Sequence, residues 1–273
     1  MSMRPIATLT AQQAQAVRVV FTDIDGTITD EAGRIPARVF ETLERIRGAG
    51  LALIPVTGRP AGWCDLIART WPVDGVVGEN GGLVFRRRGS AAKGPDARME
   101  RTYIQDAATR LANRARLTTL SEAVLARFPG AALASDQPYR EFDIAIDFCE
   151  DVAALPESDI DGIVAMLTEA GCHVKVSDIH VNAWFGDFDK ASMCQRAGAD
   201  ILGLDLLGAD AHRAVYFGDS PNDAPLFAAF PLAVGVANVA ALAHRMEHLP
   251  AFVTQGRGCD GFIEGVDRLL ALR

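Results

Sequence analysis

Two aspartates separated by one residue stand in the run Asp23-Ile24-Asp25-Gly26-Thr27, directly after the apolar segment Val19-Val20-Phe21-Thr22. On an extended backbone side chains repeat every second position, so both carboxylates enter the same crevice. One can attack an electrophile. The other, kept partly protonated by its anionic neighbour, can give and take the proton of a leaving group. Alone, such a run is also compatible with a surface turn in which Asp and Gly serve only turn geometry. Its position favours chemistry: an apolar strand precedes it, Gly26 allows close backbone approach, and Thr27 adds a hydroxyl, as an anion and metal site at a sheet's switch point requires.

The surrounding elements must deliver these groups to one place. Residues 18–23 read as a buried parallel strand. Residues 36–49 follow with helical spacing, Val39, Leu43 and Ile46 recurring at i, i+4 and i+7, and Gly48 and Gly50 end the helix before the apolar run 51–56. A further helix over 60–70 and a strand over 75–77 continue the alternation, which predicts a parallel sheet with helices on both faces. At Gly81-Gly82 the pattern changes. A hairpin at 83–88 and a loop at 89–95, rich in small and turn-forming residues, lead into a different module. There a long helix over 107–128, an alternating strand over 143–148, a helix over 160–170 and strands over 174–176 and 180–184 predict an α+β unit. From Lys190 the core alternation resumes, with strands over 214–217 and 232–236 and a last helix over 262–270. The predicted fold class is therefore α/β, a doubly wound, Rossmann-like parallel sheet carrying an inserted α+β cap. The expected division is core over 1–84 and 188–273 and cap over 85–187.

Three further stations fall beside predicted core elements. Val56-Thr57-Gly58-Arg59-Pro60 ends the second strand, Lys190 opens a helix, and Gly218-Asp219-Ser220-Pro221-Asn222-Asp223 follows a later strand. With Asp23-Ile24-Asp25-Gly26-Thr27 they resemble, in order, the four motifs of the haloacid dehalogenase superfamily of phosphohydrolases. The long insertion after the third strand resembles that superfamily's second cap class, subfamily IIB. That branch includes the Cof-like, sucrose-phosphate, trehalose-phosphate and mannosyl-3-phosphoglycerate phosphatases and the phosphomannomutases. Only the four core motifs are specific, although the likeness in layout spans nearly the whole chain. Ala191, where many relatives carry glycine, departs from the pattern.

The resemblance implies a Mg²⁺-dependent phosphatase working through a phospho-aspartate on Asp23, with Asp25 as acid and base. Thr57 would bind the transferring phosphoryl group, and Gly58, Arg59 and Asn222 belong to the same phosphate-binding stations. Asp23, the Asp25 carbonyl, Asp219 and Asp223 would serve the metal through hard oxygen ligands, Asp223 directly or through water. Helix N-capping is an alternative or coexisting role for Asn222 and Asp223. Lys190 is placed where a helix macrodipole disfavours a cation, by a few tenths to ~1 kcal/mol, so neutralising the nucleophile and phosphate explains it better than stability does. Arg59 could instead pair with a carboxylate.

At the hinges, Asn80 is the first candidate for substrate contact, against a role in supporting its turn. His180 and Asn182 share one strand face and could meet a sugar hydroxyl or phosphate. Arg86-Arg87-Arg88 reads as a solvated hairpin end, and His244 with His248 as a surface pair lacking further metal ligands.

Composition narrows the field. A net charge of -8 over 273 residues disfavours nucleic acid as partner and requires a local reversal of sign to hold an anionic metabolite. The five cysteines form no CxxC pair, which disfavours zinc and thioredoxin-like chemistry. No apolar run approaches the ~18 residues of a membrane span, and residues 1–16 lack the apolar region of a signal peptide, so no membrane partner and a cytoplasmic location are expected. The expected partner is a small phosphorylated metabolite; substrate identity and oligomeric state stay open. The rival readings are a sugar-phosphate mutase using the same aspartyl-phosphate and a silent binding module with this fold. Against the latter, no motif residue is missing. A dinucleotide-binding oxidoreductase is disfavoured because the first strand leads into Asp-Ile-Asp-Gly-Thr and not GxGxxG.

Overall fold

The computed structural model describes residues 3–88, 98–177 and 179–273. Along the chain run β1 (Arg4–Pro5), α1 (Ala11–Ala16), β2 (Val19–Thr22), α2 (Ala37–Gly48), β3 (Ala52–Pro55), α3 (Ala61–Thr70), β4 (Val76–Gly78), β5 (Leu83–Arg87), β6 (Met99–Tyr103) and α4 (Ala107–Arg127). Next come β7 (Ala132–Leu133), β8 (Ile144–Asp147), α5 (Glu157–Glu169), β9 (His173–Val176), β10 (His180–Trp184) and α6 (Lys190–Leu202). The last third holds β11 (Ala214–Gly218), α7 (Ala224–Ala229), β12 (Leu232–Gly235), α8 (Val239–Leu242), β13 (Phe252–Val253) and α9 (Gly258–Ala271).

The core is a parallel sheet in the order β1-β13-β12-β11-β2-β3, extended toward β4 by a bridge between Val56 and Val77. Alternate residues of its strands serve opposite faces. Val20, Leu53, Val215, Phe217 and Val234 pack with α2, α3 and α9, through Leu43, Ile67 and Phe262, whereas Val19, Phe21, Ile54 and Tyr216 pack with α6 and α7, through Met193 and Leu226. This is the doubly wound arrangement that the strand–helix alternation predicts. β2 and β11 are neighbours, with Phe21 opposite Tyr216, so the segments after both strands emerge side by side.

The inserted module is an antiparallel sheet in the order β7-β8-β10-β9 covered by α4 and α5. Its core of Leu117, Val124, Ile144, Ile146, Ile163, Leu167 and Val181 is separate from those of the main sheet. The expected loop over 89–95 lies outside the described residues. The 83–88 stretch is one strand of a three-stranded antiparallel sheet, β4-β5-β6, and not a self-contained hairpin, because its partner β6 lacks an alternating pattern and was not foreseen. β5 runs across the expected boundary at 84/85, and Phe85, Met99 and Tyr103 pack on the main core. We therefore propose that the cap is better bounded at about residues 104 and 185. There Gln105 Nε2 donates to the Phe185 carbonyl at 2.8 Å and ties the two crossings together.

Candidate active site

The chain leaves β2 at Thr22, and the Asp23 amide still donates to Phe217 O on β11 at 2.8 Å, which fixes the nucleophile candidate at the carboxyl end of the sheet. Thr22 Oγ1 donates to Asp23 O at 2.8 Å. Gly26 adopts φ 73°, and a Cβ there would lie 2.4 Å from Asp219 Oδ2. Only glycine lets the first loop nest against that second carboxylate. Asp219 is further held by Thr27 Oγ1 at 3.3 Å and Asn238 Nδ2 at 2.7 Å.

Lys190 is the first residue of α6, capped by Asp189, whose side chain accepts from the Ser192 amide. Its ammonium is 2% exposed and donates to Asp23 Oδ1 at 2.8 Å and Asp223 Oδ1 at 2.7 Å. Burial works against this charge, but Asp223 and Asp23 outweigh it and hold Lys190 above its ordinary range. Burial pushes Asp23 well above the usual carboxylate range, with Lys190 opposing and the Asp223 and Asp25 charges adding to it. Asp223 is otherwise saturated: Tyr216 Oη donates to Oδ1 at 2.5 Å, and the Asp219 and Ser220 amides donate to Oδ2 at 3.0 and 3.2 Å. Asp223 thus takes the expected capping role in its own turn, and it also orients Lys190, a role the sequence did not suggest. Burial first, then Asp223, raises the Tyr216 phenol, which keeps it a donor.

Carboxylate oxygens of Asp23, Asp219 and Asp223 lie within 4.8 Å of one another. The donor set is all hard oxygen, and Gly26 leaves room against Asp219. These features fit a Mg²⁺ ion held by Asp23, Asp219 and the Asp25 carbonyl.

Above this centre the cap closes a cavity of about 20 Å³ lined by Asp23, Asp25, Gly58, Arg59, His180, Asn182, Ser220 and Asn222 among others. That is room for about one water. Thr57 is fully buried beside it, its Oγ1 accepting from the Arg59 amide at 3.0 Å, which leaves the hydroxyl hydrogen free to donate. Arg59 does not lie on the surface. Its Nε donates to both oxygens of Asp25, at 3.2 and 3.0 Å, and its Nη2 to Asp25 Oδ1 at 2.9 Å and to Glu150 Oε1 of the cap at 3.0 Å. Trp63 supports the guanidinium from below, 4.5 Å from its ring centroid.

Asn80, expected either at the substrate or in support of its turn, lies behind Gly58. Its Nδ2 donates to Asp143 Oδ2 at 3.2 Å, the same oxygen that accepts from Asn182 Nδ2 at 3.1 Å. Asp143 also takes Arg140 Nη1 at 2.9 Å, and that guanidinium reaches Gly58 O at 2.9 Å. Asn182 does line the cavity, with its amide nitrogen committed to Asp143, so its carbonyl oxygen is the acceptor it has left to offer. His180 lines it too, its Nε2 2.9 Å from Glu150 Oε2 but without the alignment of a hydrogen bond. Arg86 and Arg88 pair with Glu100, away from the site; Arg86 is half-buried in β5, so the expected solvated hairpin end is corrected, while His248 is exposed as expected.

Several residues around the candidate site had no signal in the sequence. Tyr216 sits inside an apolar strand, and Glu150 follows β8 in an acidic loop. Arg140 and Asp143 reach the hinge only through the tertiary fold. Glu79 is the largest surprise. Its buried carboxylate accepts from the amides of Ala61 at 2.8 Å, Glu141 at 2.9 and 3.0 Å, Phe142 at 2.5 Å and Asp143 at 3.2 Å, joining core to cap. Glu79 and Asn80 hold φ of 46° and 53°, a conformation that non-glycine residues rarely adopt without such support.

Residues 20–95 match the family model described as haloacid dehalogenase-like hydrolase. A phosphoglycolate phosphatase of Methanoculleus marisnigri is 36% identical over 72 residues, 26% of this chain and 30% of that protein, so the chain matches about a third of this relative's length. A phosphoglycolate phosphatase of Methanothermobacter thermautotrophicus is 24% identical over 93% of this chain and 99% of its own length. Among solved structures, the sucrose-phosphatase of Synechocystis, in complex with sucrose and phosphate, superposes with a TM-score of 0.63 at 19% identity, covering 92% of this chain and 97% of that one.

Proposed function

We propose, from the premise that this chain belongs with the haloacid dehalogenase-like hydrolases in fold and in the order of its motifs, that it is a Mg²⁺-dependent phosphoric monoester hydrolase for a small, sugar-phosphate-like metabolite. The observation that carries the reading is the buried Asp23–Lys190–Asp223 chain, with Asp25 and Asp219 beside it. Sequence-distant residues are assembled there at an unfavourable desolvation cost that stability alone does not reward.

In the proposed reaction Asp23 Oδ forms a bond to phosphorus as the bond from phosphorus to the leaving oxygen breaks. Asp25 gives that oxygen its proton. The resulting Asp25 carboxylate then takes a proton from water, whose oxygen displaces Asp23 and releases phosphate. Lys190 holds the attacking oxygen and offsets the charge gathering around it. Thr57, with its hydroxyl hydrogen free, and the Asn222 amide, whose Oδ1 is held by Ser220 Oγ at 2.7 Å, orient the phosphoryl oxygens. When bound, Mg²⁺ supplies charge neutralisation between nucleophile and phosphate. Asp23, Asp219 and the Asp25 carbonyl would hold it, and Asp223, its oxygens taken by Lys190, Tyr216 and two amides, would fix the Lys190 ammonium beside them.

The names of the relatives support phosphomonoester hydrolysis and differ on the substrate, phosphoglycolate in two and a sucrose phosphate in one. The acceptors Asn182 Oδ1 and Glu150 on the cap side favour a hydroxyl-bearing leaving group over a carboxylate. The test is phosphate release from a panel of sugar and carboxylate phosphomonoesters with Mg²⁺, beside Asp23→Asn and EDTA controls. Release that disappears in both controls is expected. Release that survives Asp23→Asn in a clean preparation would overturn the nucleophile assignment.

A further inference from the structure

We infer that Glu150 is a positioning residue of the cap that couples closure to the orientation of the acid Asp25, through Arg59. The inference rests on the hydrolytic reading above and assigns a residue that none of the motifs contains.

The Arg59 guanidinium is a rigid planar fork, so whatever fixes one edge fixes the others. One side, Nε with Nη2, grips Asp25. The other hydrogen direction of Nη2 meets Glu150 Oε1 at 3.0 Å, and Nη1 lies 3.6 Å from Asp136 Oδ2. Both of these carboxylates belong to the cap, whereas Arg59 and Asp25 belong to the core. The Trp63 ring fixes the plane of the fork but not its rotation within that plane. Rotation is set by Glu150 and Asp136, and therefore by whether the cap is down.

Glu150 is itself prepared for the task. The Asp147 carboxylate at the end of β8 accepts from the amides of Cys149 at 2.9 Å, Glu150 at 2.7 Å and Asp151 at 2.8 Å, which freezes the loop carrying it. Asp25 and Arg59 line both the closed cavity and an open cleft of about 640 Å³ that Glu150 also borders. A leaving group that extends from the phosphate into this cleft passes the acid at the point where the fork holds it. With the cap raised, the fork loses both cap partners and Asp25 loses its fixed orientation. The acid is then held in place only when the cap is down.

The experiment compares kcat/KM of the full chain, Glu150→Gln and Glu150→Ala with Mg²⁺ on two substrates. One is an alkyl phosphomonoester, whose alkoxide must be protonated as it leaves; the other is p-nitrophenyl phosphate, whose phenolate needs no proton. The expected result is that the alkyl-to-aryl ratio of kcat/KM falls about 10- to 100-fold in Glu150→Ala and less in Glu150→Gln, because kcat/KM reads the first transfer, in which only the alkyl ester needs the acid, whereas kcat falls for both substrates through the later base role of Asp25. Thermal melts of both variants establish that they fold, and Gln preserves shape if Ala does not. A ratio unchanged within threefold, whether both substrates fall together or neither falls, would show a structural role or none and overturn the inference. A wild-type chain silent on both substrates would instead remove the hydrolytic reading and this inference with it.

Discussion

Replacing Glu79 by Gln tests what holds cap and core together. The carboxylate offers only acceptors, and four backbone amides, Ala61 from α3 and Glu141, Phe142 and Asp143 from the cap, point at it. An amide group turns one of its two oxygens into a donor. If Oε1 is replaced, the Ala61 amide is orphaned; if Oε2, those of Phe142 and Asp143 are. Each orphaned buried amide costs ~1–3 kcal/mol, so the variant should be less stable by about 3 kcal/mol. For a chain of 273 residues, whose unfolding entropy is roughly 0.6 kcal/mol/K, this lowers the melting temperature by about 5 °C. Hydrogen exchange reads the same energy locally. Protection at the orphaned amides, Ala61 in one orientation or Phe142 and Asp143 in the other, should fall about 100-fold, since ~1.4 kcal/mol is tenfold. Burial first, then the Asp143 charge, push Glu79 up to about 7, so removing its charge also relieves a desolvation cost. A Gln variant that melts at or above the parent, with amide protection unchanged, would refute the argument. It would mean that the group is neutral in the fold and that the amide fan is not what joins the two parts.

Lys190→Met leaves Asp23 and Asp223 buried without their shared ammonium; calorimetry should show a loss of ~3–5 kcal/mol, and turnover should become undetectable. Gly26→Ala forces a Cβ against Asp219 at a φ of 73°, so isothermal titration should find Mg²⁺ affinity at least about tenfold weaker. The His180 imidazole, 2.9 Å from Glu150 Oε2 and acting by proximity more than by an aligned hydrogen bond, and then Arg59 hold Glu150 down at about 2 against an ordinary 4.5. The unfolded chain therefore takes up this proton first, and stability present above pH 4.5 is lost as pH falls toward 2. Allowing for the solvent exposure of Glu150, acid unfolding curves of the parent and Glu150→Gln should differ by about 1–2 kcal/mol in that window and converge below it.

The core was legible because its signals are local. Strand β2 and the run from Asp23 to Thr27, Thr57 after β3, and Lys190 after the Asp189 cap each announce themselves within a few residues. Adjacency of β2 and β11 then follows from the rules of parallel sheets. The cap contacts were illegible for the opposite reason. Arg59 could be read as a phosphate ligand or an ion-pair partner, and only the placement of Glu150 and Asp136 across the seam decides that it grips Asp25. Asn80 looked like a substrate contact because it sits at the hinge, but its direction is set by Asp143, which no spacing in the sequence connects to it. β6 was missed because its face is only half buried, so no apolar alternation marks it.

The tie between Gln105 and Phe185, where the chain enters and leaves the inserted module, also bears on how the molecule assembles. Lys190 and Asp23 are 167 residues apart, and a chain searching for that contact unaided faces a long loop closure. A module that folds on its own hydrophobic cluster and pinches its ends together removes most of that length from the search. The cap then acts during folding as a clip that brings α6 back to β2, and a cap weakened in its own core should delay the appearance of the active centre even where the finished site is unaltered.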